Sequence, residues 1–375
     1  MISSRTARVY IVPIAAYQAV AIAGGYGTGR EVIEFFTSFG VFGGLYGLIT
    51  AALFLGMITA VTFEFARIFR VYDYRSFFKE LIGPFWGLFE ILYILLFLIV
   101  LAVVASAAGS ILSSRLGAPE NLGLLLMLSI IASLLFFGRE VVERSLVVIT
   151  TLLLAAFIYY LAAVLSVDGP LILSRFSAGQ ETDFSWLKPA LQFGMYSAAV
   201  AVIILFSTTG IETRKEAFVS GGLCGLIFMI PGLLFHISFM GRLEEVIAIK
   251  VPVYWMIDQI DVPYLLLIYL VAMFGTFLGT GLGFLQAVSE RLDTWATARI
   301  GKPLPRWLHV CVAIAALLIS AMLGQFGIID LIAKGYGTIA WGFLIVFIIP
   351  IMTMGVYRIY SSRRSPAMNT EEKQR

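Results

Sequence analysis

Residues 21–36 read AIAGGYGTGREVIEFF, and they interrupt the first apolar run of the chain. Gly24, Gly25, Gly27 and Gly29 fall within six residues, and Arg30, Glu31 and Glu34 follow directly. A helix that crosses a bilayer must satisfy its own backbone polar groups, and charge at membrane depth is costly. A break and a charge cluster at one place therefore require a protein-lined or water-filled cavity around them.

Composition puts this stretch at membrane depth. Of 375 residues, 60% are hydrophobic and 13% charged, against roughly 45–50% and 25% in soluble domains. Apolar runs of about 20 residues, enough to cross a hydrocarbon core of roughly 30 Å, recur from end to end. They predict an all-α polytopic membrane protein with ten spans, near 9–36, 41–69, 85–112, 122–137, 146–165, 189–206, 218–240, 264–289, 307–323 and 328–356. Residues 1–375 read as one transmembrane domain, with 361–375, SSRRSPAMNTEEKQR, as a disordered tail. The first helix shows no small-residue cleavage site and is expected to stay on the protein. Cys224 and Cys311 both lie in apolar runs, which leaves no disulfide framework and no metal-ligand spacing.

Lys and Arg orient the spans. With the N-terminus inside, Arg5, Arg8, Arg67, Arg70, Arg75, Lys79, Arg139, Arg144, Arg214, Lys215, Arg291, Arg299, Lys302, Arg306 and the basic tail fall on the cytoplasmic side. Arg115, Arg175, Lys188, Arg242 and Lys250 fall outside. Both termini are therefore expected in the cytoplasm. The net charge of +3 is accounted for by topology and points to no nucleic-acid partner.

Five spans end near residue 166 and five more start near 186, so 8–166 and 186–357 form nearly equal halves that enter from opposite sides. That is the pattern of an inverted repeat. The sixth span, PALQFGMYSAAVAVIILF at 189–206, carries small and polar residues at 194–199, in the position matching the glycine break. Paired interruptions of this kind mark a transporter site, because unwound backbone exposes carbonyls and half-helix ends.

GGYGTGREVIEFF, together with YRSFFKELIGPFW and the IAKGYG of the last span, resembles the YkvI-type bacterial membrane proteins, which in turn resemble the amino acid–polyamine–organocation superfamily. The resemblance implies the LeuT-type fold, a 5+5 inverted repeat with helices one and six broken, in a bacterial inner (cytoplasmic) membrane. Helices one, two, six and seven would form a mobile bundle, with three, four, eight and nine as scaffold. It implies no particular substrate.

In such a fold the substrate is expected at the breaks, on Ala23, Gly24, Gly25, Tyr26, Gly27, Thr28 and Gly29 of helix one and Gly194, Tyr196 and Ser197 of helix six. The N–H groups of Gly27, Thr28 and Gly29 would favour an anionic group. The carbonyls of 21–24 would suit a cation or ammonium. Tight helix packing is the other reading of the glycines. Tyr93, Phe97 and Phe193 could wall an apolar pocket, although aromatics at helical spacing more often pack a core.

Arg30 and Glu34 are i,i+4, as are Asp330 and Lys334. LeuT-type sodium symporters pair an Arg just after the first break with an Asp on helix ten as an outer gate. The resemblance thus suggests Arg30–Asp330 or Glu31–Lys334 pairs, gating or coupling; a permanent structural bridge is the alternative. Sodium-driven relatives join helix-one carbonyls, here Ala21 and Gly24, to two adjacent hydroxyls on helix eight. Here Thr276 and Thr280 stand i,i+4 and no adjacent pair exists, and such hydroxyls often bond their own helix. Glu31, Glu34 or Lys334 could carry a proton instead. Na⁺ or H⁺ thus stays open as the coupling ion, and no other cofactor is expected. Glu64 and Glu90 read as capping or solvated, His236 as a hydrogen-bonded structural residue, and Tyr336 as packing at a kink.

The expected function is a secondary active transporter, a symporter of an amino acid or related small zwitterion or amine, working by alternating access. Its partners are that small molecule and the lipid bilayer, and the sequence sets no oligomeric state. A ligand-sensing membrane receptor of the same fold is the alternative, since spore germinant-receptor subunits resemble the same superfamily. No HExxH motif or nucleophile–base pairing supports an enzyme.

Overall fold

The computed structural model describes residues 4–22, 24–137, 139–179, 182–260, 262, 264–302 and 304–362. The expected disordered tail lies almost wholly outside them. Each apolar run named above is helical over most of its described residues.

Helix α1 (Val12–Ala21) continues a helical segment from Ser4 and stops where Ile22 leaves helical geometry at ψ 69°. After one turn at Gly24–Gly27, α2 (Arg30–Phe35) runs on. Next come α3 (Gly40–Phe69), the short amphipathic α4 (Tyr74–Ile82), α5 (Trp86–Leu116), α6 (Glu120–Phe137) and α7 (Arg139–Ser177). The second half comprises α8 (Leu187–Ser197), α9 (Ala199–Ile203), α10 (Arg214–Phe239), α11 (Pro252–Ile260), α12 (Leu265–Ile300) and α13 (Arg306–Gly324). The last, α14 (Ile328–Ser361), contains π-helical turns at Leu331–Tyr336, Leu344–Ile348 and Ile351–Gly355.

Among the described residues, six helical stretches are long and apolar enough to cross a membrane: Arg30–Phe69, Tyr74–Leu116, Thr151–Ser177, Arg214–Val246, Trp307–Gly324 and Ile328–Ser361. Ala7–Ala21, Glu120–Ile131 and Leu265–Gly281 are shorter apolar helices. The expected span at 189–206 is divided into α8 and α9, so neither piece reaches that length. The expected fifth span ends at 165, but α7 continues through Pro170 to Ser177. Within this extension, buried Asp168 accepts two hydrogen bonds from Arg242, at 2.8 and 3.2 Å.

α1, α3, α8 and α10 pack on one another, while α5, α6, α12 and α13 form a second packed group. The α3–α10 contact is built on small residues. A Cβ on Gly221 would lie 2.5 Å from Ala60 Cα, and one on Gly225 would lie 2.7 Å from Gly56 Cα, so the backbones touch. Close approach through small residues is how helices gain contact where lipid gives no hydrophobic driving force. His236 of α10 adds a polar brace: its Nε2 lies 2.9 Å from the Val41 carbonyl and its Nδ1 lies 3.1 Å from Thr37 Oγ1. A carbonyl only accepts, so Nε2 carries the proton and Nδ1 accepts from the Thr37 hydroxyl.

Candidate functional site

The first break is the strongly non-helical one. Gly29 adopts φ 80°, where side chains are strained, and a Cβ there would lie 2.7 Å from Phe239 Cζ and 2.8 Å from Val253 Cγ2. Protein groups satisfy the freed backbone. The Thr28 hydroxyl donates to Gly25 O (2.6 Å) and accepts from the Arg30 N–H (3.2 Å), capping α2. The Val253 N–H donates to Thr28 O (3.1 Å), and the Tyr269 hydroxyl to Gly27 O (3.4 Å). The expectation that the Gly29 N–H is open to an anionic group is corrected here: it donates to Tyr26 O at 3.0 Å. Ala23 lies outside the described residues.

The second interruption is shallow. Ala198 separates α8 from α9 yet keeps φ −60° and ψ −25°, and its N–H still donates to Gly194 O at 2.9 Å. Helix six is kinked, not unwound, since its residues have helix-forming φ/ψ and no glycine cluster. The Tyr17 hydroxyl of α1 reaches across to Ser197 O at 3.2 Å, joining the two interrupted helices.

Between them lies a cavity of about 70 Å³. Three expected substrate residues, Tyr93 of α5 and Tyr196 and Ser197 of α8, line it, together with Ala21 of α1, which was expected as a carbonyl ligand of an ion. Glu31 of α2 lines it too, so this carboxylate belongs to the cavity and not to a helix-ten gate. Its Oε2 accepts from the Tyr196 hydroxyl at 2.7 Å, and the Tyr336 ring packs on that of Tyr196 at 4.8 Å between centroids. A methyl group on Gly25 would collide with Glu31 Oε1, so the glycine is what admits the carboxylate. Below the cavity, the Arg291 guanidinium stacks 4.6 Å from the Tyr93 ring and 4.4 Å from that of Tyr74, and pairs with Glu90 at 3.3 Å.

Several expected site residues stand elsewhere. Phe193 is fully buried among the rings of Tyr26, Phe35, Phe36, Tyr196 and Phe228, and Phe97 is buried away from the cavity wall. Gly194 packs on α3, where a Cβ would lie 2.6 Å from Phe54 Cδ1. Tyr26 hydrogen-bonds Phe228 O at 3.0 Å and faces α10, and Gly27 lies against Met273, whose Sδ would be 3.2 Å from an added Cβ. Gly24 sits in the single turn after the first break.

The suggested gate pairs are also absent. Arg30, 4% exposed, donates to Ile247 O, to Ile249 O (3.2 Å) and to Glu34 Oε2 (2.9 Å). Asp330 pairs with Lys334 at 2.8 Å on an exposed face of α14. One turn separates the partners in each local pair, whereas pairing across helices depends on rotations that spacing does not set. On α12, the Thr276 hydroxyl donates to Ala272 O at 2.9 Å, and neither Thr276 nor Thr280 lines the cavity.

The remaining walls are aliphatic or aromatic: Val20, Leu96, Val100, Ala199, Val200, Ile203, Phe228 and Tyr336. A periodic signal existed, because Tyr93, Leu96 and Val100 are i, i+3, i+7 and Tyr196, Val200 and Ile203 are i, i+4, i+7, each set sharing a helix face.

No family model matches the chain. It is 20% identical over 337 residues to the uncharacterized membrane protein YkvI of Bacillus subtilis (strain 168), covering 88% of this chain and 92% of that one. Its fold is similar to MhsT in complex with L-phenylalanine, at TM-score 0.56 and 15% identity over 94% of this chain and 98% of that one. The Eremococcus coleocola manganese transporter in complex with an aromatic bis-isothiourea compound matches at TM-score 0.54 and 14% identity, over 92% and 78%. The sequence comparison thus finds the resemblance to YkvI, and the structure comparison finds the LeuT-type fold.

Proposed function

We propose that this chain is a secondary active transporter of the bacterial cytoplasmic membrane, with both termini cytoplasmic. It carries an amino acid or related small zwitterion or amine by alternating access, coupled to Na⁺ or H⁺. The observation that carries this reading is the cavity formed where two interrupted helices meet, with a buried carboxylate on its wall. The fold neighbours support carriage of a small solute. A divalent metal cargo has less support, since the described residues hold no group of three or more His, Cys, Asp or Glu.

On this reading α2 and the 247–249 loop close the outer side through Arg30, and the kinked α9 lies toward the cytoplasm. Movement of α1, α3, α8 and α10 against the second helix group would expose the cavity to each side in turn. Thermal stabilisation of the purified protein across amino acids and amines, with and without Na⁺ and at two pH values, tests it. A ligand that binds only the folded state raises the melting temperature by mass action. A Na⁺-dependent ligand shift indicates sodium coupling, and one that depends on pH alone indicates proton coupling. If no amino acid, zwitterion or amine stabilises the protein, the reading fails.

A further inference from the structure

The cavity's charge and size narrow its ligand. Glu31 is the only charged side chain among the described residues that line it. No Lys, Arg or His shares the wall: Arg30 is turned to Ile247, Ile249 and Glu34, and Arg291 lies beyond the Tyr93 ring. The break offers little to an anion, because the Gly29 and Arg30 N–H groups are already bonded. A ligand carboxylate placed here would lose its hydration without a cationic partner, and that desolvation is strongly unfavourable. An ammonium group would meet the Glu31 carboxylate and the rings of Tyr93, Tyr196, Phe228 and Tyr336, a setting suited to charge pairing and cation–π contact.

We propose, building on the transporter reading of the same site, that the cavity takes a small alkylammonium ion with no carboxylate, and that a proton and this ion exclude one another at Glu31. A volume of about 70 Å³ holds roughly five to seven water positions, at about 10–15 Å³ each. That matches a chain of a few carbons, lying along the aliphatic side chains of Leu96, Val100, Val200 and Ile203. A lone charge among apolar walls is too costly to stand unpaired, so either a proton or a ligand cation occupies the carboxyl. When the ion enters the protonated site, the Glu31 O–H bond breaks, RNH₃⁺ pairs with the carboxylate, and one H⁺ is released. Of the titratable groups around Glu31, Tyr196 of α8 donates to it, and Tyr336 of α14 and Tyr93 of α5 share its cavity wall, while the hydroxyl of Tyr26 at the break is turned to Phe228 O. Arg30 and Glu34 on its own helix are tied to each other.

The test is thermal stabilisation and calorimetric binding of the full-length protein in Na⁺-free buffer, with propylammonium and butylammonium chloride against glycine, alanine and valine. Runs at about pH 7.5 and about pH 5.5 vary proton competition, on the acid side of the histidine range and above it. The alkylammonium ions should stabilise the protein, the amino acids should not, and binding should weaken at the lower pH. Glu31→Gln, which keeps an acceptor for the Tyr196 hydroxyl, should lower alkylammonium affinity roughly tenfold or more. Should that variant fail to fold, a pH indicator in weakly buffered wild-type protein reads the same point, as proton release on adding butylammonium. Stabilisation by amino acids but not by alkylammonium overturns the inference and leaves the transporter reading standing. Stabilisation by Na⁺ alone, lost in Glu31→Gln, makes Glu31 an ion ligand and also overturns it. If neither ligand class stabilises the protein, the inference falls, and repeating the same panel with Na⁺ decides the transporter reading separately.

Discussion

Replacing Arg30 by Gln, and separately Asp330 by Asn, distinguishes the proposed closure through the Arg30–loop contact from the helix-ten gate that the resemblance suggests. Arg30 is 4% exposed and holds the 247–249 loop through Ile247 O and Ile249 O, while its third bond, to Glu34, stays within α2. A hydrogen bond from a charged group contributes about 1.5–3 kcal/mol, so the two loop bonds together hold about 3–6 kcal/mol. Gln can remake one of them, which leaves a loss of about 3 kcal/mol. At about 1.4 kcal/mol per factor of ten, that shifts the closed-to-open ratio roughly 100-fold. The Asp330–Lys334 pair is exposed, one turn long and screened, so its loss should leave closure unchanged. The assay places a thiol on the cavity wall as Ser197→Cys, with exposed Cys311 replaced by Ala and buried Cys224 retained. A membrane-impermeant maleimide is then added from the side of the 247–249 loop. Arg30→Gln should speed labelling at least tenfold and Asp330→Asn should not. Equal acceleration by both variants, or none by Arg30→Gln, would refute the argument.

Phe193→Ala should destabilise the protein by about 3–5 kcal/mol, as for a buried aromatic. A denaturation midpoint will show this, while ligand affinity of the folded fraction stays within a few-fold. Gly225→Ala forces a methyl against the Gly56 backbone, and overpacking of this kind costs about 1–3 kcal/mol; the expected result is a lower melting temperature with unchanged ligand specificity. Gly25→Ala meets only the end of the Glu31 side chain, which can rotate away. It should therefore retain its melting temperature and lose ligand stabilisation, the reverse of Gly225→Ala.

Hydropathy places helix on the apolar runs, because backbone in lipid has to pair within its own segment, but it does not mark the short helices α4 and α11. The break in helix one was legible for a related reason: Gly24, Gly25, Gly27 and Gly29 next to Arg30 and Glu31 cannot form a lipid-facing helix. The kink at Ala198 is different, since its residues are all compatible with helix and only neighbouring packing bends the chain. The helical spacing of Leu96, Val100, Val200 and Ile203 from Tyr93 and Tyr196 places them on shared faces, but aliphatic residues on such a face look the same in sequence whether they wall a cavity or face lipid. The extension of α7 past residue 165 was hidden too, as the partner that accommodates Asp168 is Arg242, far along the chain. Cross-helix pairing is where spacing fails most clearly. The resemblance makes Arg30 and Lys334 candidates for it, yet both pair within one turn of their own helix.

Neighbouring positions 30 and 31 then acquire separate tasks. Successive residues on an α-helix point about 100° apart, so Arg30 can grip the 247–249 loop while Glu31 faces the cavity. Both side chains ride on α2, a helix of six residues whose start is set by the left-handed Gly29 and the Thr28 cap. So short an element has little capacity to flex internally, and a displacement that moves the carboxylate also moves the guanidinium. Tyr196 carries this connection to α8 through its bond to Glu31, and Tyr336 carries it to the π-helical turn of α14 through its ring, which packs tilted on that of Tyr196. Ligand charge and loop closure are therefore joined through one rigid helix. On that account Arg30→Gln should weaken ligand binding as well as closure, although Arg30 does not line the cavity.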